Sequence, residues 1–401
     1  MLEVRPCRPE EFRAGLSPIF HYFGRAPTEE AGENIGRLLP ADRLHAAWDD
    51  GVVVGGAGAF PFELTVPGGR VRAAGVTLVG VLPTHRRRGV LRSMMRAQLD
   101  AVHERGEPVA VLWASEDQIY TRFGYGLASL QGEIDVSRAY STFHEPLERR
   151  GRVRLLDKAE AAEALPPIHE RVAAETSGMF ARSADWWESR LLSDPDWLRR
   201  GRGEMQRALL ELDGEPVGYA LYRLNLSFEY GSSTGELDVV EALGTGPQAV
   251  AELWRFLLDV DWMDRIKAPL LPIDHPLRLL LAEPRRLRFT LVDGIMVRLV
   301  DVGAALAARA YAGDGTVVAE VRDAFCPWNE GRWRLGPGAE RTDAEPELRM
   351  DVSALGSVYL GGFTFAELGR AGRLEELASG AVARADELFR VDRAPWCPEI
   401  F

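Results

Sequence analysis

The sequence predicts a protein of the α+β class in which mixed sheets flanked by helices repeat along the chain. Three observations point there. The chain has 401 residues, more than one hydrophobic core usually holds, so two or three domains are expected. Short β-branched apolar runs alternate with segments whose apolar residues recur at helical spacing. Turn clusters such as Asp49-Asp50-Gly51, Pro67-Gly68-Gly69 and Asp213-Gly214 separate these segments at short intervals.

Residues 2–5 read as a short strand, after which Pro9 opens a helix with Phe12, Leu16, Ile19, Phe20 and Phe23 at helical spacing. Residues 52–60, 62–66, 70–73 and 76–82 read as strands. From Val90 a helix carries Leu91, Met94, Met95, Leu99 and Val102 on one face and stops at Gly106, and residues 108–113 form another buried strand. Loose charged sequence over 143–152 reads as a linker. A hairpin, 208–212 with 217–221, follows across Asp213-Gly214. Then come a strand near 237–243 and a helix holding Val250, Leu253, Trp254, Leu257 and Leu258. A third region contains a strand at 297–300, a helix at 302–311, and strands near 316–323 and 331–335. The expected domains are 1–148, 149–290 and 291–401.

Hydrophobic residues make up 46% of the chain and charged residues 27%, as in an ordinary soluble globular protein. No apolar stretch approaches the ~20 residues of a membrane span, and residues 1–5 do not read as a signal peptide. Cys7, Cys326 and Cys397 are too few and too scattered for a disulfide framework or a metal cluster, so no metal is expected and the cytoplasm is the expected compartment. A formal net charge of −12 argues against nucleic acid as a partner and is compatible with a cationic small molecule, or with solubility alone.

The sharpest local signal runs from Val79 to Leu91: Val-Gly-Val-Leu-Pro-Thr-His-Arg-Arg-Arg-Gly-Val-Leu. A buried strand feeds a polar turn with arginines and a glycine, and an amphipathic helix follows at once. Backbone N–H groups at such a helix start bind anions, Gly89 lets a phosphate approach the backbone closely, and the arginines add fixed charge. A basic turn that merely caps a helix is the plainer alternative.

This run resembles the coenzyme A motif of the GNAT superfamily of N-acetyltransferases, with Arg86 and Gly89 at its marked positions and Leu91 where a small residue is usual. The stretches Leu64-Thr65-Val66-Pro67-Gly68, Ala114-Ser115-Glu116, Ile119-Tyr120-x-Arg122-Phe123-Gly124-Tyr125-Gly126 and Leu355-Gly356-Ser357-x-Tyr359-Leu360-Gly361 resemble one subfamily, the enhanced intracellular survival (Eis) aminoglycoside acetyltransferases of actinobacteria. The resemblance implies tandem GNAT-like domains plus a C-terminal sterol-carrier-like domain, acetyl-CoA as co-substrate, a homohexamer, and a cationic amine such as an aminoglycoside or polyamine as acceptor. It implies that Val79, Gly80 and Val81 hold the pantetheine arm and that Arg87, Arg88, Gly89, Val90, Leu91 and Arg92 surround the pyrophosphate. Ser115 and Glu116 would flank the thioester.

The resemblance also makes Tyr120 the acid that protonates the departing thiolate, in preference to Tyr125, whose place after Gly124 suits packing. Ser115 with Gln118 has the form of a capping box, which would start a helix and put Tyr120 in its second turn. No Ser-His-Asp spacing or carboxylate pair supplies a base, and His85 reads as a surface histidine. The chain end, Ala394-Pro395-Trp396-Cys397-Pro398-Glu399-Ile400-Phe401, has prolines to stiffen it and large apolar residues to bury, so it is expected to dock. The resemblance gives the base role to the α-carboxylate of Phe401, although Ile400 stands where the family carries an acid. Phe20, Tyr22 and Phe23 with Glu29, Glu30 and Glu33 could line an amine cleft, or could be a helix face and a solvated loop. Trp113 and Leu78 depart from the family's usual pocket residues.

After 237–243 the turn Gly244-Thr245-Gly246-Pro247 has no arginine, so the second GNAT-like domain is expected to lack a cofactor site. For the third domain a scaffolding role competes with lipid binding. The rival functions are a protein or peptide N-acyltransferase, or a lipid-binding module with a vestigial GNAT half.

Overall fold

The computed structural model describes residues 2–199 and 201–401. The first stretch contains strands β1 (Leu2–Pro6), β2 (Leu44–Asp49), β3 (Val52–Val66), β4 (Gly69–Val81), β5 (Val109–Leu112) and β6 (Gly126–Leu127). With them lie helices α1 (Phe12–Tyr22), α2 (Glu29–Leu38), α3 (Val90–Glu104) and α4 (Asp117–Thr121). The four short strands expected between residues 52 and 82 are two long ones, because the ladder between β3 and β4 runs without a break from the Pro67–Gly69 turn to a bulge near Leu78.

The middle stretch contains β7 (Leu130–Ser137), β8 (Gly151–Leu155), α5 (Lys158–Ala174), α6 (Ala184–Trp186), α7 (Asp196–Arg199), β9 (Met205–Leu212) and β10 (Glu215–Asn225). It continues through a small ribbon, β11 (Phe228–Glu229) with β12 (Ser232–Ser233), then β13 (Gly235–Gly244), α8 (Pro247–Leu258), β14 (Met263–Pro272), α9 (Leu277–Leu280) and β15 (Thr290–Asp293). The expected hairpin is present: Asp213 at φ 51° and Gly214 at φ 86° make the left-handed turn that two-residue hairpins need. The supposed linker ends in β8, which adds to the edge of the sheet beside β9.

The last stretch holds β16 (Met296–Leu299), α10 (Val302–Ala308), β17 (Val317–Arg322), β18 (Gly331–Leu335), β19 (Glu340–Arg341), β20 (Leu348–Asp351), α11 (Val352–Tyr359), α12 (Phe365–Arg370), β21 (Leu374–Glu376) and α13 (Ala381–Phe389). Helix α10 stops three residues short of the expected end, where Arg309 becomes extended.

Two compact units result. Residues up to Ser129, with Gly294–Pro395 and Ile400–Phe401, make the first; Leu130–Asp293 with Trp396–Glu399 make the second. The first unit has a seven-stranded sheet ordered β1-β2-β3-β4-β5-β16-β6 and a five-stranded sheet ordered β19-β18-β17-β20-β21. The second has a seven-stranded sheet ordered β15-β7-β14-β13-β10-β9-β8. Local sequence does not reveal that β16 inserts between β5 and β6 while β7 joins the other sheet. The crossing points meet inside the first unit, where the Gly294 N–H donates to the Ser129 carbonyl at 2.9 Å. No helix among the described residues is long and apolar enough to cross a membrane.

In the first unit two of the glycine-rich runs singled out in the sequence pack on each other. A Cβ on Gly126 of β6 would lie 1.9 Å from the Ser353 carbonyl oxygen and 2.5 Å from Ser357 Oγ, and one on Gly356 would lie 2.4 Å from the Val297 carbonyl oxygen. Helix α11 therefore sits with its backbone directly on β6 and β16. Gly126→Ala should cost ~2 kcal/mol or more, because main chain and not a flexible tip would have to move. Gly32→Ala in α2, where the nearest atom to a new Cβ is 3.8 Å away, should stabilise by ~0.5–1 kcal/mol. Chemical denaturation of both variants checks the pair.

Candidate active site

The site begins where the central ladder of the first unit stops. Strands β4 and β5 pair in parallel only over Ala73–Val109, Ala74–Ala110 and Gly75–Val111. Strand β4 continues through residues 76–81 and is paired there with β3 alone. Register slips by one residue at Leu78, which sits at φ 55° in the left-handed region that a leucine pays to enter. The bulge turns β4 away from β5 and leaves an edge of N–H and C=O groups that an extended, amide-bearing chain can pair with. Val79, Gly80 and Val81 lie on this stretch. Gly80 also seats α1, since a Cβ there would be 3.0 Å from the Ile19 backbone, and the Tyr22 hydroxyl donates to the Val81 carbonyl at 2.7 Å.

Beyond β4 the chain makes a single 3-10 turn at Pro83–His85 and enters α3. Arg87 at φ 61° and Gly89 at φ 82° are both left-handed. The first helical bond of α3 runs from Ser93 N–H to the Gly89 carbonyl at 3.0 Å. The N–H groups of Gly89, Val90, Leu91 and Arg92 therefore have no acceptor within the helix and carry the positive end of its dipole. Nothing lies within 4 Å of where a Gly89 Cβ would be, so an anion has open access. Arg87 is exposed. Arg88 is held by Asp49 at 3.1 Å, with His85 Nε2 3.4 Å from the same carboxylate. Arg92 lies over the Phe325 ring at 5.3 Å, so its guanidinium is turned to the ring and its backbone N–H is the group at the helix start.

Strand β5 leads through Trp113 and Ala114 to Ser115 and Glu116, both exposed. The expected capping box does not form: Glu116, not Ser115, is the N-cap, with extended dihedrals and no side-chain cap bond. Helix α4 is a little over one turn, and Tyr120 stands near its end, not in a second turn. Tyr120 is 7% exposed, in the cluster with Ala59, Ala74, Val76 and Leu112 on the α3 face of the sheet. Burial first, then the Glu116 carboxylate, push its phenol up to about 12. Tyr125 lies edge-on to it at 6.0 Å between ring centroids. Its own phenol is pushed far up by burial, and its hydroxyl has no hydrogen-bond partner.

The turn after Tyr120 is clamped from behind. Gly124, at φ 85°, leaves room for Arg298, whose Nη1 would be 2.3 Å from a Cβ there. Arg298 is fully buried and paired with Asp323, which also accepts from Asn329 Nδ2 at 2.9 Å and from the Cys326 N–H at 2.9 Å.

The chain end lies within the first unit on the opposite side of the same sheet. The Phe401 ring meets Phe62 edge-on at 4.9 Å and is 9% exposed. Phe62 is of opposite parity to Ala59 on β3, so the two side chains leave the strand on opposite faces. Tyr120 and Phe401 thus pack against opposite faces of the sheet. Phe62 was not foreseen, and neither was Asp49, whose Asp-Asp-Gly context signals only a turn.

The other expected pocket residues divide. Phe20 is core, whereas Tyr22 and Phe23 are 50% and 58% exposed, so Phe23 does not join the apolar face its spacing suggested. Glu29, Glu30 and Glu33 are exposed on α2. Glu399 belongs to the second unit, where Arg182 holds it at 3.0 Å. In that unit the turn after β13 has Pro247 at the first helical position of α8, which removes an N–H from the helix start.

Comparisons agree with this geometry. Residues 3–128 and 178–299 each match an acetyltransferase (GNAT) domain, and residues 302–398 match a sterol carrier protein domain. The chain is 42% identical over its whole length, and over the whole of the relative, to an uncharacterized N-acetyltransferase of Streptomyces coelicolor. It is 38% identical to the N-acetyltransferase Eis of Mycobacterium tuberculosis over 85% of this chain and 84% of that one. The crystal structure of Eis1 from Mycobacterium abscessus superposes with a TM-score of 0.87 at 35% identity, covering all of both chains. Tandem GNAT folds, a third sterol-carrier-like domain and identity across the full chain together make this protein an N-acetyltransferase of the Eis family.

Proposed function

We propose that this enzyme moves the acetyl group of acetyl-CoA to an amine of a cationic small molecule, an aminoglycoside or another polyamine, by direct attack. The observation that carries the reading is a buried phenol and the chain's terminal residue packed against opposite faces of the sheet that contains the splayed β4–β5 pair. Attack and departure occur on different sides of a carbonyl, so an acid and a base placed on opposite faces suit a single direct transfer. The net charge of −12 favours a cationic acceptor.

GNAT acetyltransferases use acetyl-CoA, and the residues here fit it. The edge of β4 at Val79, Gly80 and Val81 that β5 leaves uncovered suits the pantetheine amides. Arg87, Arg88 and the N–H groups from Gly89 to Arg92 suit the pyrophosphate. Ser115 and Glu116 stand at the end of β5, where the thioester would lie. Bound there, acetyl-CoA supplies an activated acyl group with a thiol leaving group. The α-carboxylate of Phe401 takes a proton from the incoming ammonium, which frees the nitrogen lone pair to form the N–C bond. Tyr120 donates to sulfur as the C–S bond breaks, and the sulfur leaves as a thiol. The proton held by the carboxylate passes to water, the nitrogen sheds its second proton to water as the tetrahedral adduct collapses, and a proton from water restores Tyr120, so that the amide, the thiol and one proton are released. An α-carboxylate has an ordinary value near ~3.5, so partial desolvation or a relaying water must assist it.

Tyr120→Phe should lower kcat by ~100-fold while coenzyme A affinity stays within about twofold. Tyr125→Phe should leave turnover intact and hold or raise stability, because it removes a buried hydroxyl that has no partner. Equal losses in the two variants would remove Tyr120 as the acid. The phenol must be protonated to donate, and burial moves that loss from 10.0 to about 12. The kcat profile should therefore show no descending limb below about pH 10.5; a limb near 9 that vanishes in Tyr120→Phe would contradict the burial. Deleting Phe401, or adding a residue after it, should abolish turnover, and full activity in the extended chain would exclude the carboxylate. A panel of aminoglycosides, polyamines and peptides, read for acetyl transfer, tests the acceptor. Turnover of peptides alone would point to a peptide N-acyltransferase, and thermal protection by lipids but not by acetyl-CoA would point to a lipid-binding module.

A further inference from the structure

The second unit repeats the construction of the first. Strands β13 and β14 pair in parallel only from Gly235–Met263 to Asp238–Lys267. Past that point β13 slips register against β10 between Leu221 and Tyr222, and β14 slips against β7 next to Leu270, which is left-handed at φ 59°. The pair is thus opened by irregular backbone, as β4 and β5 are. Here a segment of the chain lies beyond the opening, bonded directly to β14 and, through Arg182, to β13. The Trp396 indole N–H donates to the Leu270 carbonyl of β14 at 2.8 Å, and the Trp396 backbone N–H donates to the Ser177 carbonyl at 2.8 Å. Glu399 accepts from Arg182 Nε at 3.0 Å and from the Trp186 indole N–H at 2.8 Å. Arg182 in turn holds Glu241 of β13 through Nη1 at 2.9 Å, and Glu241 also accepts from the Tyr219 hydroxyl of β10.

We propose that the opened strand pair of the second unit is a peptide-binding site, and that its resident ligand is the chain's own segment Trp396–Glu399. The ligand class is an extended segment with an indole donor and, three residues on, a carboxylate. Three features mark the site as built for it. Gly178, at φ 94°, would place a Cβ only 3.0 Å from the Trp396 carbonyl oxygen, so glycine there makes room for the segment's main chain. Arg182 bridges Glu241 and Glu399, and the side chains of Arg182 and Glu241 are buried. Pro398 and the bond from Cys397 Sγ to the Glu399 carbonyl at 3.3 Å hold the bend between indole and carboxylate. The counterpart of the pantetheine groove in this unit is therefore filled from within, which fits its lack of an arginine-bearing phosphate turn.

Native-state hydrogen exchange on the full-length protein tests this without acetyl-CoA or turnover, so its failure is distinct from a failure of the acetyl-transfer reading. The Trp396 amide of the wild type should exchange at least ~100-fold more slowly than in a free octapeptide of residues 394–401. Glu399→Ala should speed that amide by about tenfold or more while amides of α8 keep their rates. If Glu399→Ala does not fold, Trp186→Phe, which removes one bond to the carboxylate and keeps an aromatic ring, should show a smaller increase in the same amide. A wild-type Trp396 amide within about threefold of the free peptide overturns the proposal. So does an unchanged rate in whichever folded variant is measured.

Discussion

The interrupted ladder between β4 and β5 is the constraint on which the site depends. A parallel pair that stayed in register to the end of β4 would satisfy its own backbone groups and leave no edge for a ligand. Pairing stops after Gly75 and Val111, and Leu78 absorbs the extra residue in a left-handed conformation. A leucine there costs ~1–2 kcal/mol, and the surrounding structure holds it. Gly80 carries the close approach of α1, Tyr22 ties the end of that helix to the Val81 carbonyl, and the β3 ladder continues on the far side. Strain of this kind tends to sit where a structure must stay open.

What surrounds the opening serves to keep it shaped. The turn before α3 is steadied by Asp49, which draws in both Arg88 and His85. The turn after Tyr120 is backed by a buried arginine whose carboxylate partner comes from the third domain. Helix α11 lies on β6 with main chain touching main chain. The sterol-carrier-like region thus packs directly against the acetyltransferase fold within the first unit.

The two units solve one architectural problem with opposite outcomes. Each opens a parallel strand pair with irregular backbone. In the first the opening adjoins a helix start with free N–H groups and arginines. In the second the helix starts at a proline, the Trp396 indole binds the Leu270 carbonyl of β14, and Glu399 binds Arg182, which holds Glu241 of β13.

The sequence by itself determined the features that depend on near neighbours along the chain. The Arg-Arg-Arg-Gly turn into α3, the hairpin at Asp213-Gly214, the strand at Gly331–Leu335 and an apolar, docked chain end were all legible, because turn chemistry, helix starts and apolar period are local. The capping box at Ser115 was not realised, since the chain stays extended through Glu116. The bulge at Leu78 left no trace either, because nothing in its own neighbours asks a leucine to turn left-handed. Only the tertiary structure decided which sheet takes β7 and which takes β16, that Phe401 meets Phe62, and that Glu399 is held by Arg182. Strand partners and buried charge pairs are chosen by free energy summed over distant segments, and no window of the sequence contains that sum.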